Sequence, residues 1–144
     1  MTDTRALVYC GFFPDFALPT ILFFGEREAF KRLSEMLALA SGRPKSRVHL
    51  KGEPFINAGN TDIALAVMAE STGMRRIDQR KFEWGLSTEQ CASFAGSLDA
   101  LSRTPPASSG HCYLDCGDLD DVNVIASVGE YSVDHFKSLG AVYW

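Results

Sequence analysis

Short apolar runs along the chain predict several β-strands. Runs at 6–10, 20–24 and 63–69 are long enough for strands, and Gly or Pro residues lie between them. The run at 63–69 is apolar on both faces, which is typical of a central strand covered on both sides. Further strands are predicted around Val48, at 111–116 and at 122–128. A charged segment, 74–84, fits an exposed or edge strand.

Two longer segments have the three- and four-residue apolar spacing of amphipathic helices. The first covers 26–40. The second begins after Ser87, which forms a capping box with Gln90, and it ends before Pro105. A further short turn of helix is predicted near 132–140. Strands and helices together predict an α+β protein with an antiparallel or mixed sheet and both helices on one face.

The two halves of the chain repeat the same order of predicted elements. Each half contains an aromatic residue followed by glycine, then a helix, a linker with proline, a strand with a histidine and an apolar strand. We interpret 1–144 as a single compact domain, in which 1–72 and 73–144 are a possible tandem duplication of a ββαββ unit.

Composition and charge limit the range of functions. The 144 residues are 46% hydrophobic and 22% charged, as in soluble globular proteins. The formal net charge of −4 gives no general attraction to nucleic acid or to anionic membranes. A basic or neutral protein partner is electrostatically easier, and no apolar run reaches the ~20 residues of a membrane helix.

Cysteine usage favours a reducing compartment. The four cysteines include no CxxC pair and have no spacing typical of a disulfide framework. The N-terminal segment is too short and too interrupted for a signal peptide. We therefore expect reduced thiols and a cytoplasmic location.

The stretch GHCYLDCGDLDD, at 110–121, has the residue types of a metal or catalytic site. In a strand, however, Cys112 and Cys116 are about 13 Å apart. Such a distance excludes a disulfide and a shared zinc ion. Counted from Asp118, the sixth and twelfth positions are Asn123 and Gly129, so the loop lacks the glycine and glutamate of a calcium loop. The sequence thus predicts a strand and a turn, with no metal and no cofactor.

An enzyme remains the first alternative. If the repeat brings His49 and His111 to one face, these residues and Asp115 could form a metal-dependent or acid/base hydrolase site. Whether His49 and His111 lie close together in the folded chain decides this alternative.

Candidate binding residues lie in two places. Phe12, Phe13 and Phe16 flank Pro14 in the first loop, where aromatic side chains either form a binding surface or cap the core. Together with Trp84 they could line a pocket between sheet and helices, which makes a small-ligand-binding module the second alternative. An acidic hairpin that contains Asp118, Asp120 and Asp121 could complement a basic partner.

Catalytic motifs are missing from the sequence. It contains no nucleophile elbow and no glycine-rich nucleotide loop. The leading hypothesis is a small acidic cytoplasmic non-catalytic interaction protein, of the class that includes immunity proteins and regulatory adaptors. It would bind a macromolecular partner as a monomer or homodimer.

Overall fold

The computed structural model describes residues 7–14, 18–132 and 134. Over these residues the chain is α+β. None of the helices in this part of the chain has the length and hydropathy needed to cross a membrane. The helices are α1 (Arg27–Ser41) and α2 (Thr88–Ser102), and the strands are β1 (Val8–Phe13), β2 (Thr20–Gly25), β3 (Arg47–His49), β4 (Ile56–Asn57), β5 (Asp62–Met68), β6 (Gly73–Arg76), β7 (Lys81–Ser87), β8 (Gly110–Tyr113) and β9 (Asn123–Val128).

The strands form two mixed sheets. The first sheet has the order β4-β1-β2-β9-β8, and the second has the order β3-β5-β7-β6. Strand β2 is parallel to β9, and β5 is parallel to β7. The β1–β2 and β6–β7 hairpins are antiparallel. The α+β class and the mixed pairing are therefore confirmed. Each helix connects the two sheets, because α1 leads from β2 to β3 and α2 leads from β7 to β8.

Both sheets share one pairing scheme. The β1–β2 hairpin pairs with β9 and β8, and the β6–β7 hairpin pairs with β5 and β3. Helix α1 begins at Arg27 and α2 at Thr88, 61 positions later, and both have 15 residues. The same offset separates the first residues of β5 and β9. Each sheet contains strands from both 1–72 and 73–144, while a tandem duplication as their origin stays a prediction.

One hydrophobic core joins the helices and both sheets. Trp84 is fully buried near its centre, with ring centroids 5.9 Å from Phe23 and 6.0 Å from Phe94. The two helices pack against each other, and the buried Ser34 hydroxyl donates a hydrogen bond of 2.6 Å to the Ala95 carbonyl. This bond satisfies a polar side chain that burial would otherwise penalise.

Local sequence signals explain most element boundaries. The Ser87 side chain accepts a hydrogen bond of 3.0 Å from the Gln90 N–H, which confirms the predicted cap of α2. The prediction of one strand over 74–84 is wrong, because the chain reverses at 77–80 and forms the β6–β7 hairpin. There the Asp78 side chain accepts from the Gln79 N–H and supports the turn. The turn of helix predicted near 132–140 lies almost wholly outside the described residues.

Candidate interaction surface

A crevice of about 670 Å³ lies where the parallel strands β2 and β9 end and α1 begins. Neighbouring parallel strands end at the same edge of a sheet, and such edges commonly form binding sites in sheet proteins with helices. We name it the acidic aromatic crevice. Its lining residues are Tyr9, Phe24, Gly25, Glu26, Arg27, Glu28, Pro106, Val128, Gly129, Tyr131 and Ser132.

Aromatic rings form one wall of the crevice. Tyr9 and Phe24 are opposite each other in the β1–β2 pairing, and their rings stack with centroids 5.1 Å apart. Tyr131 meets Phe24 edge-on, with centroids 6.3 Å apart. Phe24 belongs to a second apolar cluster, with Phe13 and Leu22, on the outer face of the first sheet, and Tyr9 and Tyr131 pack against this cluster. The wall is therefore fixed by strand register.

A glycine lets the crevice form at this place. A Cβ atom at Gly25 would lie 2.2 Å from the Leu7 carbonyl oxygen, closer than any side chain can approach. Glycine therefore allows β1 to pass directly beside the end of β2. As a result, Tyr9 and the first residues of α1 lie around the same space.

Two glutamates supply negative charge. Glu26 is the N-cap residue of α1, and its side chain makes no capping hydrogen bond. Glu28 lies in the first turn, and both side chains are exposed. Within the described part of the chain, neither glutamate forms an ion pair. Negatively charged side chains at a helix N-terminus are stabilised by the helix dipole.

Arg27, which lies between these glutamates in the chain, binds backbone carbonyls. The Arg27 guanidinium donates hydrogen bonds of 2.6, 2.8 and 2.7 Å to the carbonyls of Thr104, Pro105 and Ser108. It thereby fastens the linker between α2 and β8 to the start of α1. Since Arg27 is committed to neutral carbonyls, the two carboxylates keep the capacity to bind an external cation.

A second crevice occupies the corresponding position in the other half. It has a volume of about 770 Å³ and lies where β5 and β7 end and α2 begins. Glu89 is the second residue of α2, as Glu28 is of α1. The second crevice contains no aromatic ring among its lining residues, which are Ala69, Glu70, Ser71, Ser87, Glu89, Gln90, Ser93 and Leu119. Glu89 therefore offers a matched control position for Glu28 in the acidic aromatic crevice.

The aromatic residues predicted to bind are mostly buried. Phe12 and Trp84 lie in the main core, with 1% and 0% of their surface exposed, and Phe12 packs against Phe82 at 5.1 Å. Phe13 is buried in the cluster on the outer face of the first sheet. Phe16 lies outside the described residues. For Phe12 and Phe13, burial favours the alternative that they cap the core, and Trp84 lies within the core.

Two aspartates of the predicted acidic hairpin bind backbone. The Asp120 carboxylate accepts from the N–H groups of Met74, at 2.6 Å, and Cys116, at 2.5 Å. Asp121 accepts from the Arg76 N–H at 3.0 Å, while its own N–H donates to the Met74 carbonyl. The pKa of Asp120 is raised above its ordinary value, chiefly by burial and further by the charges of Asp115 and Asp121, although its two backbone hydrogen bonds lower it. Asp118 is exposed and stays a predicted contact residue.

The proposed hydrolase residues are distributed over both sheets. His49 lies on β3 of the second sheet, with Nδ1 3.5 Å from Asp62, and His111 lies on β8 of the first sheet, with Nδ1 3.4 Å from Glu130. Asp115 accepts a hydrogen bond from the Val124 N–H. The described residues contain no group of three His, Cys, Asp or Glu side chains that could hold a metal ion.

All four thiols are free, and burial raises the pKa of each. Burial raises the pKa of Cys112 to about 11 and that of Cys116 to about 11. The nearby Asp120 carboxylate adds to the shift at Cys116. A thiol is nucleophilic as its thiolate, so these cysteines are poor nucleophiles near neutral pH.

Sequence reasoning missed the residues of the acidic aromatic crevice. The segment FGERE at 24–28 places two glutamates directly after a strand, which is a visible but common pattern. The missing information was the pairing of β1 with β2 and of β2 with β9, which brings Tyr9 and Tyr131 to that segment. Comparison with protein-family models, curated proteins and solved structures found no match to this chain.

Proposed function

We propose that this chain is a small acidic cytoplasmic interaction protein without catalytic activity, similar in role to an immunity protein or a regulatory adaptor. It binds a protein partner that presents a lysine or arginine side chain to the acidic aromatic crevice. The observation that carries the proposal is the pair of glutamates, Glu26 and Glu28, beside the Tyr9–Phe24–Tyr131 wall.

The chemistry of the crevice matches a basic side chain. Lysine and arginine have an apolar stem and a cationic end, so the stem can pack on rings while the charge meets a carboxylate. A cation over an aromatic ring contributes about 0.5–1 kcal/mol at an exposed site. The net charge of −4 also attracts a basic partner over longer distances.

Two further observations support a non-catalytic role. The candidate histidines belong to different sheets, and each has its own carboxylate neighbour. The thiols have raised pKa values, and within the part of the chain that the structure describes none of them is hydrogen-bonded to a histidine that could act as a base. Free cysteines without disulfides support a reducing compartment such as the cytoplasm.

Charge reversal at matched helix positions tests the proposal. We expect Glu28→Lys to lose the protein partner captured by the unmodified chain, and Glu89→Lys to retain it. Both substitutions place a cation at the second position of a helix and therefore carry a similar cost from the helix dipole. Capture from cells that produce the protein, quantified by mass spectrometry, gives the readout, and circular dichroism checks folding. Equal retention by Glu28→Lys, or equal loss from both variants, contradicts the proposal.

A further inference from the structure

In the described part of the chain, two of the four sheet edges are strands of three or four residues whose outer backbone groups are open. The edge of β6 is covered, because Asp120 and Asp121 bind its backbone, and β4 forms the short outer strand beside β1. Strand β3 ends the second sheet and β8 ends the first. Open edges present backbone donors and acceptors that can pair with another strand.

The hydrogen bonds between paired strands show which backbone groups of β3 and β8 point away from their own sheets. The Leu114 N–H donates to the Val124 carbonyl, so alternate residues of β8 face β9 and the N–H groups of His111 and Tyr113 face outward. The Val67 N–H donates to the Ser46 carbonyl, so the N–H groups of Arg47 and His49 also face outward.

The two open edges carry opposite charge. Lys45, Arg47 and Lys51 lie along or beside β3. Arg47 pairs with Glu83 at 2.9 Å and still has 53% of its side chain exposed. Residues Asp115, Asp118 and Glu130 lie near β8 in the chain, or pair with its His111. Two of the three cations at β3 pair with carboxylates, Arg47 with Glu83 and Lys51 with Asp62, so this edge keeps a small excess of positive charge. The segments that flank β8 in the chain carry carboxylates instead.

We propose that β3 of one copy of this chain pairs with β8 of a second copy, which produces head-to-tail association. Like charges disfavour the pairing of two β3 edges and of two β8 edges. Pairing of β3 with β8 is therefore favoured. An antiparallel register that places Arg47 opposite Tyr113 also places His49 opposite His111. Tyr113 is 59% exposed, so its ring is accessible to the Arg47 guanidinium.

This contact is heterologous, because each copy uses a different edge. Such contacts build rings or open chains instead of closed two-fold dimers. Glu26 and Glu28 take no part in it, so self-association and partner binding at the crevice are separately testable. Since the strands have three and four residues, the contact is small and association is weak.

Proline substitutions at outward-facing positions give a selective test. Arg47→Pro and Tyr113→Pro each remove an N–H that points away from the protein's own sheet. We expect the unmodified protein to show a mass that rises with concentration in sedimentation and falls again with added salt. Each proline variant alone is expected to remain a monomer, whereas an equal mixture of the two forms a dimer and nothing larger.

The mixture distinguishes the proposal from other modes of association. A constant monomer mass for the unmodified protein overturns it, as does self-association of Arg47→Pro alone, because that result requires like edges to pair. If a proline variant fails to fold by circular dichroism, Lys51→Glu and Asp118→Lys replace the pair. Each of these is expected to weaken self-association, and their mixture is expected to restore a dimer; no restoration overturns the proposal.

Discussion

Asp120 shows how a residue that suggests surface chemistry in the sequence can serve the fold. Its neighbours in the chain include three other aspartates, which suggests an exposed acidic loop. In the structure both of its carboxylate oxygens accept backbone N–H groups, one from β6 in the second sheet and one from its own loop. The side chain thus links the two sheets and covers the edge of β6.

We expect Asp120→Asn to lower the free energy of unfolding by about 1–3 kcal/mol, the cost of leaving a buried donor without an acceptor. An asparagine has one acceptor oxygen, and its NH₂ group would face the second backbone N–H. The control is Asp118→Asn in the same loop, where an exposed side chain predicts a change within about 0.5 kcal/mol. Urea unfolding at neutral pH measures both, and equal stability of the two variants contradicts the role assigned to Asp120.

At the scale of elements, the main feature is a hairpin exchange, in which a β-hairpin from each half of the chain pairs with strands from the other half. The β1–β2 hairpin completes its sheet with β8 and β9, and the β6–β7 hairpin completes its sheet with β3 and β5. Neither half therefore contains a full sheet. The chain between β5 and β6, at 69–72, is the natural place to divide the molecule.

Fragments 1–70 and 71–144 are expected to lack a cooperative thermal transition when separate, and to regain one in an equal mixture. A cut after Glu70 keeps Ser71 with the Ser87 N–H to which its hydroxyl is bonded. Circular dichroism melts and size-exclusion chromatography provide the measurement. Cooperative melting of either fragment as a monomer contradicts the exchange, because one half would then form a stable sheet by itself.

Helices and strands could be predicted where the sequence signal lies within one short segment of the chain. The cap at Ser87 and the apolar stripe of α2 are encoded within about four turns of chain, and both were predicted correctly. The β6–β7 hairpin was not, because charged residues in its turn resemble an exposed strand. The crevice was also missed, since Tyr9, Glu28 and Tyr131 meet through pairings between distant strands. Residue patterns alone do not specify such registers.

At the scale of the whole molecule, charge is distributed unevenly. The net charge is −4, and carboxylates gather at the starts of both helices and near β8, whereas the β6–β7 hairpin of the second sheet carries three exposed arginines at 75–80. We expect this polarity to orient the proposed basic partner towards the first sheet. The aromatic wall then distinguishes the acidic aromatic crevice from its polar counterpart at α2.

The most direct test of the central claim is calorimetric titration with a short, end-blocked peptide that contains one arginine. The matched probe contains citrulline, which keeps the shape of the side chain and removes its charge. We expect the arginine peptide to bind the unmodified protein and Glu89→Gln equally, and Glu28→Gln about fivefold more weakly, a difference of about 1 kcal/mol. Equal binding of both peptides, or an equal loss in both variants, would show that the acidic aromatic crevice does not recognise a basic side chain.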